Sequence, residues 1–370
     1  MQRLKIDLKN DKDFLRIKDL LKPYTQRVYF VGGCVRNSFL NLTSDDYDIE
    51  VYGVKPSLFD ELMQKLGANG VGKSFFVYKY KKFDLALARY ENKIAKGHKG
   101  FEVKVCDDEK DGARRRDFTI NALMVNIYTF EFLDFFNGIK DLKEKTIRHI
   151  NKQSFIEDSL RILRAIAFAC RFDLKIAKES LELMQNMDIA DLSRERINNE
   201  LYKIFKTSNL DKAYDYFKIL NLEEKIFFHK KNDEGFEKLL KNSQIFVKDE
   251  ALFLYLYLNF FHIDKVNFFK KTKMKNELLK KCEQEFILEK IDDFTLAKIA
   301  LKMPLCKWLG LWDCERIVRA KKLNLYYQIF KSKIQAQELL NEGFSGKELG
   351  DELNKRRLKE LKEYIRSKDE

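Results

Sequence analysis

The sequence predicts an α+β protein in which an N-terminal mixed-sheet head is followed by an all-α neck, body and tail. Three observations predict it. The first 145 or so residues hold most of the glycines and alternate short apolar runs with turn signals, as mixed α/β units do. From about Ile156 onward the apolar residues recur at helical spacing, beginning with Leu160, Leu163, Ile166, Ala167 and Cys170. Only 3 prolines and 15 glycines occur in 370 residues. Both are well under the average usage of about 5% and 7%, which favours long unbroken helices and disfavours an all-β architecture.

In the head, strands are expected at residues 28–31, 47–52, 75–80, 83–88, 102–105 and 131–135. A length of 370 residues exceeds one ordinary core of about 150 residues. The shift in pattern sets boundaries at a head 1–145, a neck 146–206 and a body and tail 207–370. No internal repeat is found, and the only biased segment is the lysine-rich run 355–368.

A net charge of +13 and a pI near 9.2 favour a polyanionic partner such as nucleic acid, although a basic soluble protein has the same composition. A hydrophobic content of 45%, with 13% aromatic, excludes a disordered chain. Cys34, Cys106, Cys170, Cys282, Cys306 and Cys314 are scattered with no CxxC pair, which argues against a zinc ribbon or a disulfide framework. The opening MQRLKIDLKNDKD has no apolar core of a signal peptide, and the most apolar run, 251–258, is too short to span a bilayer. The expectation is a cytoplasmic protein with no membrane partner; its oligomeric state is left open.

Two segments of the head carry chemistry. Val31-Gly32-Gly33-Cys34-Val35-Arg36-Asn37 is a strand running through two glycines into a helix. Glycines there let backbone N–H groups approach an anion, and Arg36, one turn in, can fork onto phosphate oxygens. A tight strand-to-helix turn accounts for it equally well. In Ser44-Asp45-Asp46-Tyr47-Asp48-Ile49-Glu50-Val51, period two places Asp45, Tyr47, Ile49 and Val51 on a core face and Asp46, Asp48 and Glu50 on the other. Two carboxylates at i and i+2 can hold divalent cations between them, which is what two-metal phosphoryl transfer needs. Asp84, alternating with Ala86 and Ala88, is a third acidic candidate.

Gly32-Gly33-x-Val35-Arg36, Asp46-x-Asp48, Arg115-Arg116-Asp117-Phe118-Thr119-Ile120-Asn121-Ala122 and Glu157-Asp158-Ser159-Leu160-Arg161-Ile162-Leu163-Arg164 together resemble the class II tRNA nucleotidyltransferase and poly(A) polymerase family. The stretch 134–142 is similar to that family's hinge, and Arg194-Glu195-Arg196-Ile197-Asn198-Asn199-Glu200 to its ERxxxE neck motif, which favours the CCA-adding branch. The resemblance implies an enzyme that adds C, C and A to the 3′ end of tRNA from CTP and ATP. It implies that Asp46 and Asp48 are the catalytic pair and hold Mg2+. Gly32, Gly33 and Arg36 would hold the triphosphate, Arg116 and Asp117 would contact sugar and phosphates, and Asn121 and Arg164 would complete the nucleotide site.

Asp158 and Arg161 stand at i and i+3 on one helix face, so both can address one flat base. Cytosine and adenine each pair an amino donor with a ring-nitrogen acceptor, which suits a carboxylate beside a guanidinium, whereas guanine and uracil present the reverse. An ordinary intrahelical ion pair is the alternative. Three positions depart from the family pattern: Asn37 for Asp, Ser159 for Pro and Ala167 for a further arginine. No histidine is followed by Asp, so the HD phosphohydrolase site of some relatives is missing from the sequence.

Other readings stay open: a partial CC- or A-adding enzyme, a poly(A) polymerase, or a non-catalytic RNA-binding protein. Residues 89–98 resemble the family's head loop for switching between C and A, and a surface loop is the plainer alternative. The basic run 355–368 is read as an RNA phosphate clamp or an exposed charged helix face, and Trp308 and Trp312 as core.

Overall fold

The computed structural model describes residues 8–72, 76–93, 101–230 and 233–368 and divides the chain into two compact units, Met1–Ser193 and Arg194–Glu370. The division falls inside the stretch expected as the neck. The first unit is the mixed α/β head with its first following helices, and the second is all-α, so the predicted fold class holds.

The strands of the head are β1 (Val28–Val31), β2 (Tyr47–Val51), β3 (Asn69–Gly72), β4 (Val77–Tyr80), β5 (Phe83–Leu87), β6 (Arg89–Lys93), β7 (Phe101–Val105), β8 (Met124–Asn126), β9 (Phe132–Leu133), β10 (Thr146–Ile147) and β11 (Lys175–Ile176). Seven of them form a mixed sheet in the order β3-β4-β5-β2-β1-β8-β9. β2 runs antiparallel to β1 and parallel to β5. β6 and β7 pair separately, as do β10 and β11. Of the expected loop 89–98, residues 89–93 are strand β6 and residues 94–98 lie outside the described residues. Sequence pattern does not predict β8, which lies within a continuous apolar run with no alternation, nor β3, half of which is glycine.

The first sheet face is closed by α1 (Lys12–Leu21), whose N-cap Asp11 accepts from the Phe14 backbone N–H at 2.9 Å. Phe14 stacks 5.2 Å from Phe30 and 6.1 Å from Phe83, and Tyr47 joins the same aromatic layer. This fixes the β2 register: Tyr47, Ile49 and Val51 face α1, so Asp48 and Glu50 emerge on the opposite face. That second face is built on Tyr29, Val31, Tyr52, Ala88, Cys106, Ala113, Ala122 and Met124. Further helices of the unit are α2 (Gly33–Phe39), α3 (Pro56–Leu66), α4 (Glu109–Arg114), α5 (Gly138–Lys143), α6 (Lys152–Ile156), α7 (Leu160–Arg171) and α8 (Lys178–Gln185).

The second unit opens with the helix Arg194–Phe205 and ends with Gly346–Arg366. Its core is aromatic around the helix Leu252–Phe260, seven of whose residues are fully buried, with Phe253 and Tyr257 against Phe205, Phe217, Phe227 and Phe236. The apolar run 251–258 is therefore core, and among the described residues no helix is long and apolar enough to cross a membrane. A second core holds Trp308 and Leu361, the one buried residue of the last helix. Trp308 donates its indole N–H to the Glu285 carbonyl, and Trp308 and Trp312 flank the buried Arg316 guanidinium, so both tryptophans are core.

Candidate active site

β1 ends at Val31 and is followed by Gly32, whose backbone takes φ +68° and ψ −126° before α2 begins at Gly33. A Cβ at residue 32 would stand 3.0 Å from Arg116 Nη1 and 3.4 Å from Asp48 Oδ2. Glycine is thus required twice, for the backbone angle and for the close approach of an arginine and a carboxylate.

Asp48 lies opposite Val31 on one side and opposite Asp84 on the other, in the parallel β2–β5 pair. Asp84 is in turn opposite Lys79 of β4. Lys79 Nζ donates to Asp46 Oδ1 at 3.0 Å and to Asp84 at 3.3 Å, so an ammonium sits between two of the three carboxylates. Asp48, Glu50, Asp84, Arg89, Arg115 and Arg116 line a cleft of about 200 Å³. Asp46 is 70% exposed at its rim. Among the described residues no three His, Cys, Asp or Glu side chains stand together so as to hold a metal ion, so any cation here rests on fewer carboxylates.

Glu50 parts company with its two strand neighbours. It is 1% exposed, accepts from the Arg115 guanidinium and from Tyr52 Oη at 2.9 Å, and lies 3.7 Å from Arg116. Burial pushes its carboxyl up, but the arginines and the tyrosine hydroxyl outweigh this and hold it below the usual range. Asp48 shifts the other way. Desolvation in the cleft raises its carboxyl first, Arg116 opposes, and the charges of Asp84, Glu50 and Asp46 add to the rise.

Four other expected site residues form a separate network inside the first unit. Arg36 donates from Nη1 to Asn121 Oδ1 at 2.5 Å and from Nη2 to Asn37 Oδ1 at 2.9 Å, with Phe168 and Phe172 rings 5.0 and 4.5 Å from its guanidinium. Desolvation, with Arg171 nearby, lowers its pKa to about 10. Asp117 accepts from the Phe118 N–H, from Asn121 Nδ2 and from Arg164 Nε and Nη2, at 2.7–2.9 Å. Burial would raise the Asp117 carboxyl, yet Arg164 and Asn121 bring it below the usual range. Arg36, Asn121 and Asp117 are all buried. The glycine-turn motif, the Arg-Arg-Asp motif and the α7 motif are therefore tied to one another through side chains that the sequence places at the nucleotide.

Asp158 lies outside α7, in the turn after α6, with Ser159 as the residue before the helix. The expectation of one helix face for Asp158 and Arg161 is corrected on this point: the helix begins too late to include both. Arg161 directs Nη1 at the Ser154 carbonyl and Nη2 at the Arg115 carbonyl, both at 3.0 Å, and desolvation lowers its pKa. Asp158 Oδ1 accepts from the Leu160 N–H at 3.3 Å. Of the departures, Asn37 Nδ2 donates to Ser44 Oγ at 3.1 Å, Ser159 Oγ donates to Asp191 at 2.5 Å, and Ala167 is buried in α7.

Sequence reasoning missed Lys79 and the pairing of Arg115 with Glu50. The signal for Lys79 was present: strands ending at Tyr80 and starting at Phe83 leave a two-residue turn, which puts 79 opposite 84. Nothing in the pattern of β2 set Glu50 apart from Asp48.

Residues 28–148 match the poly A polymerase head domain. Among curated proteins, the CCA-adding enzyme of Buchnera aphidicola subsp. Baizongia pistaciae is 37% identical over 205 residues, covering 52% of this chain and 47% of that protein. The multifunctional CCA protein of Nitrosospira multiformis is 40% identical over 183 residues, covering 47% and 43%. The chain thus matches a little under half the length of these relatives. Across the whole chain the fold is that of the Thermotoga maritima CCA-adding enzyme complexed with tRNA, at a TM-score of 0.69 and 23% identity, covering 96% of this chain and 94% of that one. The resemblance read from the motifs to the tRNA nucleotidyltransferase and poly(A) polymerase family therefore holds.

Proposed function

We propose that the chain adds C, C and A, without a nucleic-acid template, to the 3′ end of tRNA from CTP and ATP. The observation that carries this is the meeting of Asp46, Asp48 and Asp84 with Arg116 at the Gly32 turn, in a head whose relatives are CCA-adding enzymes. The tRNA 3′ oxygen forms a bond to the α-phosphorus, the bond from that phosphorus to the β-bridging oxygen breaks, and pyrophosphate leaves.

The family's chemistry calls for a divalent cation, and the donor set fits one: hard carboxylate oxygens that already gather around a cation, the Lys79 ammonium. Asp46 and Asp48 would hold Mg2+, which supplies neutralisation of phosphate charge and a lower pKa for the attacking hydroxyl. Gly32 lets the nucleotide phosphates come close to the backbone, and Arg116 faces them across the cleft. Asp158 and Arg161 take the base edge, with Arg161 released from the Ser154 and Arg115 carbonyls when a base accepts its N–H groups. Arg36, Asp117, Asn121 and Arg164 hold these elements in register. The functional division is head 1–145, neck 146–206 and body and tail 207–370. The six free cysteines suit the cytoplasm.

The test is to supply tRNAs ending before C, CC and CCA with each nucleotide singly and together, and to read products at single-nucleotide resolution. Growth by C, C and A followed by a stop supports the proposal. Long A tails assign a poly(A) polymerase, a stop after CC or addition of A alone assigns a partial enzyme, and binding without growth assigns a non-catalytic RNA-binding protein.

A further inference from the structure

Lys79 has no part in the reaction as described above, yet its ammonium lies 3.0 Å from Asp46 and 3.3 Å from Asp84 and so bridges two carboxylates of the cleft. Its position is fixed by register rather than chance, since β4 and β5 place it directly opposite Asp84, which is directly opposite Asp48. Lys79 and Asp84 are each about one-third exposed, so the ammonium sits at the mouth of the cleft and has solvent into which to turn. Arg116 cannot take its place, because it is directed toward Glu50 and packed against Gly32.

We infer that Lys79 is a built-in counter-cation of the acidic cluster, which occupies the place of a divalent cation in the free protein and is displaced from Asp46 and Asp84 when that cation binds. The inference rests on the proposed metal role of Asp46 and Asp48. Without a cation, the carboxylates of Asp48 and Asp84 on adjacent strands and of Asp46 just before β2 repel one another, and the ammonium offsets that repulsion. With a cation, the same ammonium is a competitor: it fills the space and cancels part of the negative potential that attracts the metal. Lys79 is thus a positioning residue that sets the cation concentration at which the site fills. A flexible four-carbon stem suits this role, because the charge moves out without moving the backbone.

The test uses the whole 370-residue chain and Mn2+ alone, with binding followed by the electron paramagnetic resonance signal of free Mn2+. Three variants are compared with the parent: Lys79→Met, Lys79→Arg and Asp48→Asn. Lys79→Met is expected to bind Mn2+ about three- to tenfold more tightly, the scale of removing a partly exposed opposing charge that bridges two carboxylates. It is also expected to melt at a lower temperature than the parent without Mn2+ and to recover when Mn2+ is added. Lys79→Arg, which keeps the charge, stays within about twofold of the parent, and Asp48→Asn loses the site. If Asp48→Asn abolishes Mn2+ binding while Lys79→Met binds no more tightly than the parent, the inference is overturned and the metal site stands. If Mn2+ binding survives in Asp48→Asn, the metal site itself is overturned and the inference with it.

Discussion

The head contains two polar clusters of similar composition and opposite design. In the cleft, Asp46, Asp48 and Asp84 form an open group, with the Lys79 ammonium at its mouth and Arg116 beside Asp48. In the interior, Arg36, Asn121, Asp117 and Arg164 are closed upon one another, with every oxygen of Asp117 taken. A carboxylate whose acceptor sites are filled by protein donors is a structural joint, and one left short of partners, with its pKa raised, is ready for a ligand. Residues from the same motifs fall on both sides of this line, Arg116 in the cleft and Asp117 beside it in sequence but inside.

The contrast breaks most visibly by mutation at its two centres. On the proposed role of Asp48 in holding the cation, Asp48→Asn should reduce nucleotide transfer by about a thousandfold or more while leaving the fold intact. Single-turnover rates with a tRNA lacking its terminal A, alongside thermal melts, check both halves. Asp117→Ala should do the reverse, costing about 3–5 kcal/mol in urea unfolding by leaving Arg164 and Asn121 without their acceptor inside the head. A stable Asp117→Ala protein devoid of activity would place Asp117 in the substrate site after all.

Gly32→Ala tests where the two regions meet. A methyl group there is strained by the positive φ and presses on Arg116 and Asp48, so a stability loss of about 1–3 kcal/mol is expected, with a larger proportional loss in transfer. Equal losses in both would mean that Gly32 serves only the turn.

The pH dependence of stability sharpens the same contrast with a smaller effect. The Asp48 carboxyl is raised, so the folded protein holds that proton more tightly; this stabilisation is present below the unfolded pKa and disappears as pH rises through the folded one. Asp48→Asn should therefore melt slightly above the parent at neutral pH, by under about 1 kcal/mol given solvent screening, and the difference should vanish as the pH falls into the carboxylate range. Glu50 and Asp117 are lowered, so their contribution is present above the unfolded carboxylate range and is lost as pH falls through their folded values. A constant Asp48→Asn difference from neutral to acid pH would remove desolvation as the cause.

Sequence alone carried the sheet face, the acidic pair and the turn, because period two and a pair of glycines constrain the backbone locally. It did not separate Glu50 from Asp48, since burial of one and exposure of the other depend on where Arg115 and Arg116 arrive from another part of the chain. It placed Asp158 on a helix that in fact starts at Leu160, because apolar spacing marks the face of a helix far better than its first residue. Arg36 reads as a phosphate contact from the glycine turn before it and Asp117 as a nucleotide contact from the family resemblance, and neither reading shows the buried network in which both lie.

The smallest expected effect concerns the last helix, Gly346–Arg366, whose charge the sequence offered as a phosphate clamp. Deleting it would be uninformative, because Leu361 is fully buried and Tyr364 Oη donates to the Leu323 carbonyl at 2.7 Å. Arg356 is already engaged by Glu342 and Glu352, so it is a poor candidate for RNA. Lys355, Lys359, Lys362 and Arg366 recur at i, i+4, i+7 and i+11, all exposed, which makes one basic stripe opposite the packed side. Replacing the three lysines by glutamine keeps the helix and its core packing while removing the charge. If the stripe meets phosphates, tRNA affinity falls a few-fold at low salt, and the slope of log K against log salt flattens by about one for each phosphate that is no longer neutralised. Lys355 contributes least, since Glu352 lies 3.2 Å away and already offsets it. An unchanged slope in the triple variant would assign the stripe to solubility and leave the helix a purely structural closure of the second core.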